Sequence, residues 1–275
     1  MNPPMLALKP EASAEAMPTP ERSAGGEFEA NFAALRHEIV QPETAEILAR
    51  IQEFDPATTF PNVMRVGLFV AKTLEVFSDE IQLNESEETI TMRAAVLHDT
   101  GKMALPLSFW DKPGRFNDEE NVMKKSHTSE GREALAGVDA FADDKLLLDL
   151  TLLHHQVQGD QYVPGELADW VVGEDVERFK TLLSLFAMSD QTEAMTSNRR
   201  YVEDQGFTKE DIVKNLKDNL AAFGASGEIA DRIAAEPFFW DRELQQEHLD
   251  TLMTDFEGAK PKPERHLKLV GVEQS

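Results

Sequence analysis

The amino-acid sequence predicts an all-α fold, and two observations lead to that prediction. Apolar residues recur every three or four positions, as in Val63, Val66, Val70 and Leu74, which is the period of an amphipathic helix. No segment shows the sustained alternation of apolar and polar residues that is typical of a half-buried strand. We therefore expect a bundle of helices without internal repeats.

The 275 residues fall into four predicted parts. Residues 1–26 are rich in Pro, Ala, Ser, Glu and Gly and hold few large apolar side chains, so we expect a disordered lead-in. Short N-terminal helices follow over 27–60, and the main helical domain with its C-terminal helices occupies 61–256. A tail rich in Lys and Pro is expected over 257–275.

Each predicted helix is marked by an apolar stripe, a capping residue or a following loop. Asn117 is a good N-cap for a helix that is expected to carry Met123 and His127 on related turns. The stretch GDQYVPGE interrupts the periodicity and predicts a loop. Phe238 and Phe239, with Trp240, are expected in the core rather than on a dimer surface. The predicted helices cover residues 28–35, 47–51, 63–77, 92–97, 118–127, 143–155, 174–195, 209–223, 227–235 and 240–256.

The composition excludes several classes of function. Asp and Glu number 51 against 27 Lys and Arg, and the resulting formal charge of −24 repels polyphosphate backbones, so a nucleic-acid polymer is not an expected partner. The net negative charge still allows a small anionic substrate, provided that cations near the binding site outweigh the negative field of the whole protein within a Debye length of ~8 Å. The chain has no cysteine, so a metal site would use His, Asp and Glu.

Hydropathy predicts a cytoplasmic protein that does not enter a membrane. The sequence has no apolar run long enough for a membrane-spanning helix and no secretory signal at its start. No receiver or sensor region is visible, so we expect any control to come from a separate signalling protein partner or from the helices before Pro61. A homodimer is the other expected assembly.

Polar residues stand at the ends of several apolar runs. His98 and Asp99 follow AAVL, His154 and His155 end the run that begins LLLDL, and Asp190 follows LLSLFAM. Burying such groups costs free energy unless a cation compensates. The sequence thus indicates a buried metal site. Asp190 taken alone would also fit a buried cap or a salt bridge.

Five motifs follow one another along the chain: HDTGK at 98–102, KPG at 112–114, HTSEG at 127–131, HH at 154–155, and Asp190 followed by TSNR at 196–199. In this order they resemble the HD superfamily of metal-dependent phosphohydrolases, and in particular its HD-GYP branch of cyclic di-GMP phosphodiesterases. The likeness covers about half of the chain. It implies an HD-domain helical bundle that hydrolyses cyclic di-GMP, a related cyclic dinucleotide or another small phosphodiester by means of a metal-activated hydroxide.

The resemblance also implies two divalent metal ions, iron or manganese in preference to magnesium because imidazole ligands predominate. Asp99 would bridge the two ions and is the implied catalytic residue, together with Lys102, which would stabilise charge developing on the phosphoryl group. Lys102, Tyr162 and Arg199 would contact the substrate. The implied metal ligands are His98, Asp99 and Asp190 for one ion, and Asp99, His127, His154 and His155 for the other.

The chain departs from the family pattern at several positions. Asn62 stands where the family has a first histidine, so occupancy by a single ion stays open. Gln156 replaces a glutamate, and the family's DGxGYP loop reads GDQYVP, in which only Pro164 keeps its position. Glu193 and Arg200 replace an Asp and a Pro. These changes affect the substrate pocket more than the metal core.

Three functions follow from these observations. The first is an active phosphodiesterase on a cyclic dinucleotide, which the nearly complete ligand set favours. The second is a catalytically degenerate signalling domain that binds nucleotide, metal or protein, which Asn62, Gln156 and the altered loop favour. The third is an HD phosphohydrolase that acts on another nucleotide or phosphate ester.

Overall fold

The computed structural model describes residues 24–158, 176–197 and 207–261. Within these ranges the regular secondary structure is helical and contains no strand, which confirms the predicted all-α class. Short 3₁₀ turns lie at Thr100–Ala104, Gln156–Gln158 and Pro237–Phe239. The α-helices are α1 (Ala24–Ile39), α2 (Pro42–Phe54), α3 (Thr59–Val76), α4 (Glu85–Leu97), α5 (Leu107–Trp110), α6 (Asp118–Lys125), α7 (His127–Ala136), α8 (Lys145–Leu153), α9 (Val176–Thr196), α10 (Lys209–Phe223), α11 (Glu228–Ala235) and α12 (Arg242–Ala259).

Helix α3 is the centre of the bundle. Its apolar residues lie on nearly every face, Phe69 among them, so it is buried all round and contacts α1, α4, α9 and α12. The N-terminal helices α1 and α2 join the same apolar core through Leu35, Ile39 and Ile47, which are fully buried. Helix α1 begins at Ala24, slightly before the predicted end of the lead-in.

Helix α4 places the first site residues at its C-terminal end. A capping box between Asn84 and Glu87 starts the helix, and His98 is its C-cap residue. The α-helix does not continue to Lys102, because the chain tightens into the 3₁₀ turn Thr100–Ala104 directly after Asp99. Lys102 therefore does not lie on an α-helical face shared with His98.

The predicted helix from residue 118 through His127 is in fact two helices. The expected cap at Asn117 is confirmed, since its side chain accepts a hydrogen bond from the Glu120 amide. Helix α6 ends at Lys125, and Ser126 separates it from α7, with its amide bonded to the Met123 carbonyl in a tighter turn. His127 consequently occupies the first position of a new helix.

Helix α8 is shorter than predicted. The Asp144 side chain caps its first turn by accepting from the Leu147 amide, and the helix ends at Leu153. His154 and His155 therefore lie beyond the regular helix, immediately before the 3₁₀ turn Gln156–Gln158. This change of geometry lets two adjacent imidazoles converge, whereas consecutive side chains of a regular α-helix point about 100° apart.

The C-terminal helices complete the core. Phe238 and Phe239 are 3% and 1% exposed, which confirms that they pack inside. Helix α12 runs three residues past the predicted end at Phe256. None of the helices in the described ranges combines the length and the apolar character needed to cross a membrane.

Candidate metal centre

Four regions of the bundle bring their polar residues to one buried place. These regions are the end of α4, the start of α7, the end of α8 and the middle of α9. Five of these residues are at most 5% exposed, namely His98, Asp99, His127, His154 and Asp190. The neighbouring His155 is partly exposed.

Asp99 lies between two of the histidines. Its Oδ2 is 3.4 Å from His98 Nε2, and its Oδ1 is 3.5 Å from His127 Nε2. Asp190 approaches the same His98 nitrogen from α9, with Oδ1 at 3.6 Å. The carboxylate of Asp99 thus presents one oxygen to His98 and the other to His127.

The candidate ligand atoms form two overlapping groups of three. His98, His154 and Asp190 have ligand atoms within 4.8 Å of one another, and the same is true of His127, His154 and His155. His154 belongs to both groups. The six predicted ligands therefore lie together, in an arrangement compatible with two neighbouring cations.

Backbone carbonyls orient three of the imidazole rings. The Nδ1 atoms of His98, His127 and His154 lie 2.9, 2.5 and 2.7 Å from the carbonyl oxygens of the residues three positions earlier, Ala95, Lys124 and Thr151. Because a carbonyl only accepts, each Nδ1 donates, so each of these rings has its lone pair on Nε2 whenever it is neutral. These Nε2 atoms face the cluster, which is the orientation that a metal-binding histidine needs.

The charges of the cluster shift the pKa values of its members in opposite directions. Burial lowers the pKa of His98, but Asp99 and Asp190 outweigh it and raise that pKa to about 10. Burial raises the pKa of Asp99, but Lys102 and His98 hold it well below the usual range. The pKa of Asp190 is likewise lowered, because its interactions with His98 exceed the effect of burial. The two carboxylates therefore attract a positive charge into the interior.

The other three imidazoles are kept neutral. Burial lowers the pKa of His127 to about 4 and that of His154 to about 3, and it lowers the pKa of His155 in the same direction. Positive charge on neighbouring histidines adds to the effect on His154 and His155. Neutral imidazole is the form that binds a metal, so these rings are ready to act as ligands at neutral pH.

These pKa shifts predict how the stability of the metal-free protein depends on pH. His127 and His154 have lowered pKa values, so the stability they contribute is complete above the unfolded value of about 6.5 and is lost as the pH falls towards 4 and 3. His98 has a raised pKa, so its contribution is complete below about 6.5 and is lost as the pH rises through 10. We expect the free energy of unfolding, measured with urea and EDTA between pH ~5 and ~9, to be largest near pH ~6.5.

A His98→Asn variant provides the control for this profile. It removes the group whose pKa is raised, so the decline on the alkaline side should disappear while the decline on the acid side remains. A native profile that rises steadily from neutral to alkaline pH would contradict the assignment of charge to His98.

The residues of the cluster fit divalent metal ions. His154 Nε2 is fully buried and has no hydrogen-bond partner among the residues that the structure describes. Two buried carboxylates lie beside it, and the donor set consists of nitrogen and oxygen atoms, which suits Fe, Mn or Zn. Burying these nitrogen and carboxylate groups would cost free energy unless a cation interacted with them.

The structure describes Lys102 but not the other two predicted substrate residues. Lys102 Nζ is 2.5 Å from Asp99 Oδ2, so the 3₁₀ turn brings the two together although the helix ends earlier. Tyr162 and Arg199 lie outside the described residues, as does the GDQYVP stretch. Asn62 is buried on α3. Gln156 follows His155 directly, and its Oε1 is buried.

Two features of the site were not predicted. Gly101 and Gly131 let the HDTGK turn approach α7 closely: a Cβ on Gly101 would lie 1.9 Å from the His127 carbonyl oxygen. Trp110 packs against His127, with ring centroids 5.9 Å apart and the planes perpendicular. The two motif glycines are visible in the sequence and could have indicated a close backbone approach, whereas nothing there marks Trp110.

A helical bundle that buries histidines and aspartates around one centre defines a class, namely all-α proteins with an imidazole–carboxylate metal site. The chain belongs to the HD domain family, whose model matches residues 43–195, more than half of the sequence. The match begins inside α2, so it includes part of the predicted N-terminal helices. The resemblance to an HD-GYP-like member of this superfamily is confirmed.

Several bacterial proteins are similar to this chain. A cyclic di-GMP phosphodiesterase of Pseudomonas aeruginosa is 27% identical over 191 residues, which cover 69% of this chain and 41% of that protein. The cyclic di-GMP phosphodiesterase response regulator RpfG of Xanthomonas campestris is 30% identical over 162 residues, 58% of this chain and 39% of its own length. A 3′3′-cGAMP-specific phosphodiesterase of Vibrio cholerae is 33% identical over 169 residues, 62% of this chain and 30% of its own. The chain spans about two fifths of the length of the first two.

Proposed function

We propose that this chain is a metal-dependent phosphodiesterase and that its substrate is a cyclic dinucleotide, cyclic di-GMP or a related compound. The observation that carries the proposal is the position of Asp99, whose two oxygens face His98 and His127 separately. A carboxylate in that place can bridge two cations. The names of the similar proteins support the substrate class.

The proposed ligands divide into two sets that share Asp99. Bound divalent cations would supply Lewis acidity at the phosphorus and lower the pKa of water. We favour iron or manganese. The distances also support a role for His154 on both sides of the cluster. One set is His98, Asp99 and Asp190, and the other is Asp99, His127, His154 and His155.

Lys102 would act on the substrate rather than on the metal. Its ammonium group is held beside Asp99 at the edge of the cluster and is partly exposed, so it can reach a phosphoryl oxygen from the solvent side. Positive charge placed there before the reaction stabilises the negative charge that develops as the phosphodiester bond breaks. Contacts of Tyr162 and Arg199 with the nucleotide remain predictions, as do a homodimer, a signalling partner and a cytoplasmic location.

A catalytically degenerate binding domain is the second candidate. Two neutral side chains favour it, because Asn62 and Gln156 stand where the family pattern has a histidine and a glutamate. Such a domain would keep metal and nucleotide binding without turnover. The intact group of six ligands favours catalysis, since a binding domain does not require so many buried ionisable groups.

The deciding experiment combines metal analysis with hydrolysis assays. The purified protein would be loaded with Mn²⁺ or Fe²⁺ and incubated with bis(p-nitrophenyl) phosphate, cyclic di-GMP and 3′3′-cGAMP. We expect metal retention and cleavage of at least one cyclic dinucleotide. Retention of metal without any turnover would select the binding domain, and turnover of the generic ester alone would select another phosphoesterase.

A Lys102→Ala variant is expected to keep its metal and lose about 10²-fold in kcat, the effect of removing one charged stabilising group. Metal content would be measured by elemental analysis and kcat with the generic ester. Lys214→Ala is the matched control, because Lys214 forms an exposed ion pair with Asp218 on α10. A Lys102→Ala variant with native kcat would exclude the proposed role.

A further inference from the structure

We propose that Trp110 is a positioning residue that fixes Lys102 against Asp99 and packs against His127. The inference rests on the proposed function, since it assigns a purpose to the position of Lys102. Trp110 ends the short helix α5 and is partly buried. It contacts two separate parts of the centre, the turn that carries Lys102 and the ring of His127.

The first contact fixes the backbone of the HDTGK turn. Trp110 Nε1 donates a hydrogen bond to the Lys102 carbonyl oxygen at 2.9 Å. Indole N–H is a donor only, so the direction of this bond is certain. The bond joins the turn that carries Lys102 to a side chain eight positions later, and it thereby limits the movement of the turn.

The second contact concerns the ammonium group. Lys102 Nζ lies 5.6 Å from the centroid of the Trp110 ring and 2.5 Å from Asp99 Oδ2. The positive charge is therefore held between a carboxylate and the negative face of an indole. A free lysine side chain samples many rotamers, and these two contacts restrict it before substrate binds.

The third contact joins Trp110 to the metal ligands. Its ring stands perpendicular to that of His127, with centroids 5.9 Å apart. Phe109 packs perpendicular to Trp110 at 5.2 Å and stacks on Phe116 at 5.0 Å, so neighbouring aromatic rings support the indole. A single side chain thus connects Lys102 with a histidine on α7.

The first test needs neither metal nor substrate. In metal-free protein, Trp110→Leu, Lys102→Met and the double variant form a thermodynamic cycle measured by urea unfolding. We expect the two changes to be coupled by about threefold in the unfolding equilibrium constant, the size of one cation–π contact. The pair Trp240 and Lys209, whose Nζ lies 4.9 Å from the ring centroid, provides a reference cycle. Additive changes at Trp110 and Lys102 would overturn the proposal.

The second test uses the metal-loaded protein and the generic ester. Trp110→Phe keeps an aromatic ring but loses the N–H donor, so we expect kcat to fall about tenfold with KM little changed. Trp110→Leu should lower kcat further, whereas Trp240→Phe should leave it unchanged. Native kcat in both Trp110 variants would overturn the proposal. If the native protein hydrolyses nothing, the proposed function fails and the thermodynamic cycle alone decides the role of Trp110.

Discussion

An Asp99→Ala variant is expected to lose the two proposed metal ions and hydrolysis together. The carboxylate faces His98 with one oxygen and His127 with the other, so its removal takes a donor from each proposed cation site. It also removes the group that holds Lys102 in place. We expect kcat to fall by about 10³-fold or more, because the loss includes several kcal/mol of stabilisation by the cations. Elemental analysis and the generic ester assay measure the two effects.

Asp143→Ala is the matched control for this variant. It removes the same charge from an exposed position near the start of α8, so metal content and kcat should stay at native values. An Asp99→Ala protein that retained two ions and native kcat would exclude the two-metal mechanism. Retention of one ion would show that one ligand set is sufficient by itself.

A Gly101→Ala variant is expected to be strongly destabilised although it adds a single methyl group. Its Cβ would lie 1.9 Å from the His127 carbonyl oxygen and 2.4 Å from the Gly131 amide nitrogen, and both are backbone atoms. The HDTGK turn and α7 would have to separate. We expect a loss of about 3 kcal/mol in the free energy of unfolding, at the upper end of what overpacking costs. Urea unfolding of metal-free protein measures it.

Gly258→Ala gives the opposite expectation with the same chemical change. Gly258 lies in α12, and a Cβ added there would meet no described atom within 4 Å apart from its chain neighbours and the backbone of its own helix. Alanine should therefore be neutral or stabilise the protein by up to about 0.5 kcal/mol. Equal stability of Gly101→Ala and the native protein would mean that the turn and α7 can separate at little cost.

The helical class and the position of the site could be predicted because both depend on local patterns. Apolar periodicity marks α3 and α9 directly, and the pairs His98-Asp99 and His154-His155 stand at the ends of apolar runs. Burying such a polar pair costs free energy unless a cation compensates for it, so the sequence alone indicates a cation site.

The features that the sequence did not predict concern helix ends and contacts between segments that are distant in sequence. The break at Ser126 and the early end of α8 place His127 and His154 outside regular helix interiors, and no periodicity marks either change. The closeness of Gly101 to Gly131 and the contacts of Trp110 arise from packing between elements that are separate in sequence. Such tertiary effects override local preference.

The distribution of the ligands over α4, α7, α8 and α9 also governs when the centre can form during biosynthesis. A ribosome releases the chain from its N-terminus, so His98 and Asp99 emerge long before Asp190. Until α9 has left the exit tunnel, the nascent protein offers a cation an incomplete coordination shell. The full set of proposed ligands is therefore available only once α9 has been synthesised and has packed into the bundle.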